Sequence, residues 1–282
     1  MNKKLSTVLL LVVFLAGLSL LLYPTISNYY NSVHQTNAIM DYAQNVDRMT
    51  EELTEQLLDE AREYNAAMAR ERRYAIPLGY EETYYSMLDA TGSGVMAYIQ
   101  IPSIEVTLPI MHGTSETVLS KAIGHLEFSS LPVGGESTHS VLSGHRGLPS
   151  SELFTNLDSV EIGDVFYIHV LGQTLEYCVD QILVVLPNEY EELGIVDGQD
   201  YVTLMTCTPY GVNSHRLLVR GVRLEAGSSN NNQQIVIKNE IKNVNLMVVL
   251  PLMLVAISVV VFVFIAVTGK KKNRKDKDNE KK

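Results

Sequence analysis

The chain has 282 residues, 46% of them hydrophobic, and a formal net charge of −10. That length accommodates one substantial domain with accessory segments. The acidic balance argues against a nucleic-acid binder, which needs a positive face for the phosphate backbone.

The apolar content is uneven. Residues 5–22 are apolar apart from Ser6, Thr7 and Ser19, follow Lys3 and Lys4, and end in Leu-Leu-Leu-Tyr-Pro. A cleavable signal peptide would end in small residues in an A-x-A-like arrangement, so the run reads as an uncleaved membrane anchor. Over residues 31–70, Tyr42, Val46, Met49, Leu53, Leu57, Ala61, Tyr64 and Met68 step by three or four. This is the stripe of an amphipathic helix, a packing or spacer element. Residues 75–89 are irregular, with Pro77, Gly79 and several tyrosines, and Thr91-Gly-Ser-Gly94 then marks the onset of β-type sequence. Strands are expected at 95–101, 106–111, 140–144, 165–170, 173–185, 202–206 and 217–224, with helical turns at 115–122. So many short strands suggest a barrel or sandwich.

Residues 226–239 are rich in Gly, Ser, Asn and Gln and read as a linker. Residues 246–267 are uncharged, with one proline, Pro251. Both apolar runs approach the roughly 20 residues that span a bilayer. The tail from Lys270 holds eight Lys or Arg and three Asp or Glu. Basic residues beside both runs predict a two-pass topology with both termini cytoplasmic and the intervening segment outside. That segment keeps 12 basic and 29 acidic residues.

Two cysteines are present, in unlike settings. Cys178 sits in a strand-like apolar run and reads as a buried free thiol. Cys207 sits in Thr203-Leu-Met-Thr-Cys207-Thr-Pro-Tyr-Gly211, closing a strand. Asn213-Ser-His-Arg216 opens the next strand, and Val141-Leu-Ser-Gly-His145-Arg-Gly-Leu-Pro149 closes another. A strand ending in Cys followed by one starting with Arg puts the two side by side on one rim, and His145 can reach that rim. A thiolate attacks a carbonyl, a histidine passes a proton to and from an amine, and a guanidinium, always protonated, hydrogen-bonds a substrate backbone or stabilises an oxyanion. No metal site and no cofactor are expected. There is no Cys-x-x-Cys, and His125, His139 and His215 lack carboxylates at ligand spacing.

The Thr-x-x-Thr-Cys signature, the Arg nine residues on and Ser-Gly-His-Arg upstream resemble the sortase family. Gly124-His-Leu-Glu, Ser130-Leu-Pro-Val-Gly-Gly135 and Thr-Cys-Thr-Pro-Tyr-Gly resemble the class C, pilin-polymerising sortases. The resemblance covers residues 87–221. It implies a mainly β fold, a closed eight-stranded barrel with an N-terminal helical extension and two transmembrane helices. It implies a membrane-anchored cysteine transpeptidase whose partners are pilin subunits with C-terminal sorting signals. A Leu-Pro-x-Thr-Gly type signal is cut between Thr and Gly to give a thioester on Cys207, and a pilin lysine resolves it. Cys207, His145 and Arg216 match the family's catalytic positions, with Thr206, Arg146 and Ser143 expected to bind substrate or support the site. A housekeeping sortase acting on peptidoglycan and a non-catalytic surface scaffold are the alternatives.

Class C sortases often carry a lid with an Asp-Pro-aromatic anchor before the barrel. Here the corresponding stretch has Ile76-Pro-Leu78 and no Asp-Pro, which leaves either a different lid or an open site. Residues 72–85 are the candidate lid, with Tyr74, Ile76 and Leu78 as its filling side chains. The expected organisation is an anchor at 1–23, the helical extension at 24–90 and the catalytic barrel at 91–225. A linker at 226–243, a transmembrane helix at 244–269 and a basic tail at 270–282 follow.

Overall fold

Two N-terminal helices precede eight strands, α1 (Lys3–Arg48), α2 (Glu51–Glu71), β1 (Val95–Ile101), β2 (Val106–His112), the single turn α3 (Glu116–Leu119), β3 (Ile123–His125), β4 (Thr138–Ser143), β5 (Val165–Val170), β6 (Gln173–Val185), β7 (Asp200–Thr208) and β8 (His215–Arg223). This computed structural model describes residues 3–72 and 75–224. The expected second membrane helix, the linker and the tail lie outside the described residues.

The strands close into a barrel in the order β1-β2-β3-β4-β7-β8-β6-β5, with β5 pairing back to β1. The β2–β3 and β4–β7 pairs are parallel and the others antiparallel. Ile99, Ile110, Phe166, Ile168, Tyr177, Leu204 and Val219 are all fully buried in one core. Burial of large apolar side chains of this kind is the main favourable term in folding.

The short β3 was not foreseen. Three residues with a central glycine carry no readable alternation. Gly124 is there for a packing reason, because a Cβ on it would lie 2.4 Å from the carbonyl oxygen of Gly113. β4, β7 and β8 begin two residues earlier than their apolar runs, and β7 also ends two residues later, because polar residues such as His139, Asp200, Thr208 and His215 join the pairing.

The expected single helix over 31–70 is two helices. Thr50 is extended and its hydroxyl accepts from the Leu53 N–H at 3.3 Å, with Glu51 and Glu52 in the first turn of α2. A threonine cap and acidic residues facing the positive helix end restart the helix there. Most of the apolar stripe nevertheless packs on the barrel, since Tyr42 and Val46 of α1 and Ala61, Tyr64 and Met68 of α2 join its core with Ile39 and Leu58, whereas Leu53 is exposed. Asn65 fixes the docking. Its amide donates to the Leu131 carbonyl (3.0 Å) and its carbonyl accepts from the Leu131 N–H (2.7 Å).

Of the described residues, 30–72 and 75–224 belong to one compact unit, and the start of α1 through Tyr29 belongs to another. Among the described residues one helix is long and apolar enough to cross a membrane by length and composition, over Val12–Arg48.

Three buried histidines are held neutral. His125 Nε2 faces the Ser130 carbonyl (2.8 Å) and must donate to it, so Nδ1 accepts from the Tyr84 hydroxyl at 2.8 Å. His139 Nδ1 donates to the Gly194 carbonyl and Nε2 accepts from Thr203. Desolvation pushes His125, His139 and His169 each down to about 4 from 6.5. Since the unfolded chain binds protons at higher pH than the folded one, stability is complete above pH 6.5 and falls as pH drops from there towards 4, by up to about 3 kcal/mol per imidazole. The urea midpoint should therefore fall steeply across that window, and a midpoint flat from pH 7 to 4.5 would contradict neutral burial.

Candidate active site

The parallel pairing of β4 with β7 matches Ser143 with Met205, and the Gly144 N–H continues it by donating to the Met205 carbonyl at 3.0 Å. His145 and Cys207 each follow that matched pair by two residues, so they leave the barrel at the same level. The antiparallel pairing of β7 with β8 matches Cys207 with Arg216. The three candidate residues therefore stand on three hydrogen-bonded neighbouring strands, or just past their ends, on one rim.

Supporting contacts fix these ends. Thr206, buried, donates through Oγ1 to the Gly144 carbonyl at 2.7 Å, tying the residue before Cys207 to the residue before His145. Arg146 donates through Nη1 to Thr208 Oγ1 (3.1 Å) and through Nε to the Thr155 carbonyl (3.2 Å), and it pairs with Asp158. Its guanidinium lies 5.9 Å from the centre of the Tyr210 ring. One side chain thus links the loop after His145 to the loop after Cys207. Ser143 is half-buried, paired with Gly124 on one side and Met205 on the other.

Cys207 is half-buried and is a free thiol. Cys178 is also free and half-buried, on β6 between Val165 and Val222. Arg216 spends its Nη1 on the carbonyls of His215 (3.2 Å) and Asn213 (3.4 Å). Among the described residues no carboxylate pairs with it, so its charge remains available for an anionic group. His145 has a carboxylate neighbour instead, Glu116, at 3.6 Å from Nε2.

The candidate lid is divided. Tyr74 lies outside the described residues. Ile76 and Tyr80 are half-buried against the core, whereas Leu78 is 67% exposed. Tyr80 packs edge-on against Tyr64, and the buried Tyr84 packs edge-on against His112 and at a tilt against His125. Tyr85 hydrogen-bonds Glu127, and Arg72 pairs with Asp197 in the loop between β6 and β7.

A sortase-domain family model matches residues 99–224. The fold is similar to that of sortase C1 from Streptococcus agalactiae, with a TM-score of 0.65 and 50% identity, over 67% of this chain and 98% of that one. It is also similar to sortase C from Streptococcus pneumoniae (TM-score 0.61, 44% identity, 67% and 97% covered). A third match is Clostridium perfringens sortase C solved with its C-terminal cell wall sorting motif (TM-score 0.60, 44% identity, 67% and 98% covered). The chain belongs to the sortase family.

These solved neighbours are sortases of class C. This sortase spans 62% and 59% of the length of the first two curated relatives that it matches, both sortases A. The closed eight-stranded barrel is the sortase fold.

Sequence reasoning passed over several residues that shape this rim. Gly144 is one. A Cβ there would lie 2.7 Å from both Ile123 Cδ1 and Phe154 Cδ2, and both neighbours are fully buried. Phe154 in turn donates its N–H to the His145 carbonyl at 3.1 Å. The glycine between Ser143 and His145 is the readable signal, but its reason is a ring ten residues away. Glu116 and Gln35 are others, legible only once the chain is folded. Gly144→Ala overpacks this wall and should lower stability by about 1–3 kcal/mol. Because the displaced loop carries His145, turnover should fall more than the melting loss explains. Wild-type stability and turnover in Gly144→Ala would show that the close approach is not required.

Proposed function

We propose that this sortase is a membrane-anchored, extracellular cysteine transpeptidase of the pilin-polymerising type. It cleaves a Leu-Pro-x-Thr-Gly-like sorting signal through a thioester on Cys207 and transfers the acyl group to a lysine amine of a pilin. The observation that carries the reading is the register across β4, β7 and β8, which brings His145, Cys207 and Arg216 to one level of the rim.

In this reading the Cys207 thiolate attacks the threonine carbonyl carbon. Arg216, free of carboxylate partners among the described residues, hydrogen-bonds the developing oxyanion. The tetrahedral intermediate collapses as His145 gives its proton to the departing glycine nitrogen. In the second half the amine loses a proton to His145, attacks the thioester carbon and expels the thiolate. Arg146, Thr206 and Ser143 act by keeping the two strand ends in register. The S. pneumoniae relative was solved in connection with pilin substrate specificity and the C. perfringens relative with a sorting motif, which supports this choice of substrates.

Residues 91–225 form the catalytic domain in this reading. The apolar start of α1 and the run at 246–267 are two membrane anchors, with the basic ends in the cytoplasm. Residues 72–85 form a cover for the cleft without the Asp-Pro anchor.

Two measurements test the reading. Cys207→Ala should lower transfer of a sorting-signal peptide to a lysine peptide by about three orders of magnitude or more, whereas Cys178→Ala should keep it within a few-fold. Transfer that survives in Cys207→Ala would exclude this nucleophile. Deleting residues 72–80 should speed labelling of Cys207 by a small thiol reagent, and an unchanged rate would mean that the segment does not cover the thiol.

A further inference from the structure

We infer that Glu116 is the docking group for the incoming amine, holding a primary ammonium against His145 before it attacks the thioester. The inference deepens the transpeptidase reading above and rests on it. Glu116 is the first residue of the single turn α3, between β2 and β3, and its Oε2 stands 3.6 Å from His145 Nε2. That is an ion-pair distance but too long for a hydrogen bond, and His145 Nε2, itself shielded from solvent, has no hydrogen-bond partner among the described residues. The glutamate side chain is 81% exposed and the imidazole 31%.

The glutamate end of this contact is open to solvent, and a carboxylate so exposed contributes little to holding an imidazole in place. A carboxylate in that position is, however, well placed to receive a cation from solvent. A primary ammonium has three donors and no acceptor. One N–H reaches the Glu116 carboxylate while another reaches the Nε2 lone pair of neutral His145. An outward swing of the exposed glutamate both opens a path to the buried Nε2 and gives the acceptor spacing that a tetrahedral nitrogen requires. Uncharged nucleophiles, water included, gain nothing from the carboxylate charge.

The spacing between the two loops is a built feature. Gln35 of α1, buried, donates through Nε2 to the Lys121 carbonyl (2.8 Å) just after α3 and to Ser151 Oγ (3.1 Å) in the loop after His145. Asn31 donates to the Ser150 carbonyl at 2.7 Å. One helix therefore holds both the segment that carries the acid and the segment that carries the base.

The step balances. The docked R–NH3+ gives one proton to neutral His145. The freed lone pair forms the new C–N bond at the thioester carbon, and the C–S bond breaks with its electron pair leaving on Cys207. The second excess proton on nitrogen passes to solvent. The products are the amide, the thiolate and imidazolium, which is the pair needed for the next sorting signal.

The test uses the full chain in detergent, a sorting-signal peptide and competing nucleophiles. Nα-acetyl-lysine peptide and triglycine are cationic, while hydroxylamine is uncharged at neutral pH. Which cationic amine the parent enzyme uses better identifies the source of the ammonium, a protein lysine or a peptide amino end. Glu116→Gln should lower the preference for that amine over hydroxylamine about tenfold, chiefly through a raised KM for the amine, the scale of one charge-assisted hydrogen bond. Glu116→Asp should restore part of it. An unchanged preference, with both nucleophiles slowed alike or neither slowed, overturns the docking role. Failure of the transpeptidase reading is separate and visible beforehand, as a parent enzyme that forms no thioester with the peptide.

Discussion

The parallel register between β4 and β7 is the constraint on which the rest of the site depends. Ser143 opposite Met205 sets His145 level with Cys207, and the antiparallel β7–β8 register then sets Arg216 opposite Cys207. In a closed barrel a one-residue slip would turn every side chain of a strand to the other face, so the core itself enforces this alignment. Thr206 and Arg146 add cross-links at the point where regular pairing ends, one to the Gly144 carbonyl and one to Thr208. The three groups that act on one carbonyl in the proposed mechanism are thereby fixed by backbone pairing rather than by contacts among themselves. Preorganisation of this kind lowers barriers without reorganisation during the reaction.

The helices ahead of the barrel extend the same logic outward. α2 is docked by the reciprocal Asn65–Leu131 bonds and by Tyr64, whose hydroxyl donates to the Glu127 carbonyl at 3.1 Å. Tyr84 then joins the pre-barrel segment to His125 and to the Gly113 N–H. Gln35 reaches the loops on either side of the rim. The pre-barrel region is part of the core, contributing Ile39, Tyr42, Tyr64 and Tyr84 to it, and not a spacer alone. The buried polar contacts, each satisfied, specify one docking geometry where apolar packing by itself would tolerate several.

Much of this was legible in the sequence because its cues are local. Alternating apolar residues flanked by glycines and polar turns marked seven of the eight strands, and the Thr-x-x-Thr-Cys and Ser-Gly-His-Arg segments pointed to the rim before any pairing was known. What escaped depends on contacts between distant residues. β3 is too short to alternate, and Gly124 and Gly144 are dictated by Gly113 and Phe154 across the fold. The break at Thr50 had its cap written in the sequence, yet the apolar stripe running through it read as one helix. Glu116 sits 29 residues from His145 in a stretch that reads only as a helical turn, and folding alone makes them neighbours. Tyr74 and the second apolar run fall outside the described residues.

The proposed chemistry turns on a covalent bond to one sulfur. The most direct measurement is intact-mass and peptide-mapping analysis of the full chain after brief incubation with a sorting-signal peptide and no amine. The account predicts a mass gain equal to the peptide fragment ending at threonine, on the peptide that contains Cys207, and its removal by hydroxylamine as a thioester requires. Cleavage of the signal with no adduct on Cys207, or an adduct carried by Cys178 instead, would contradict it.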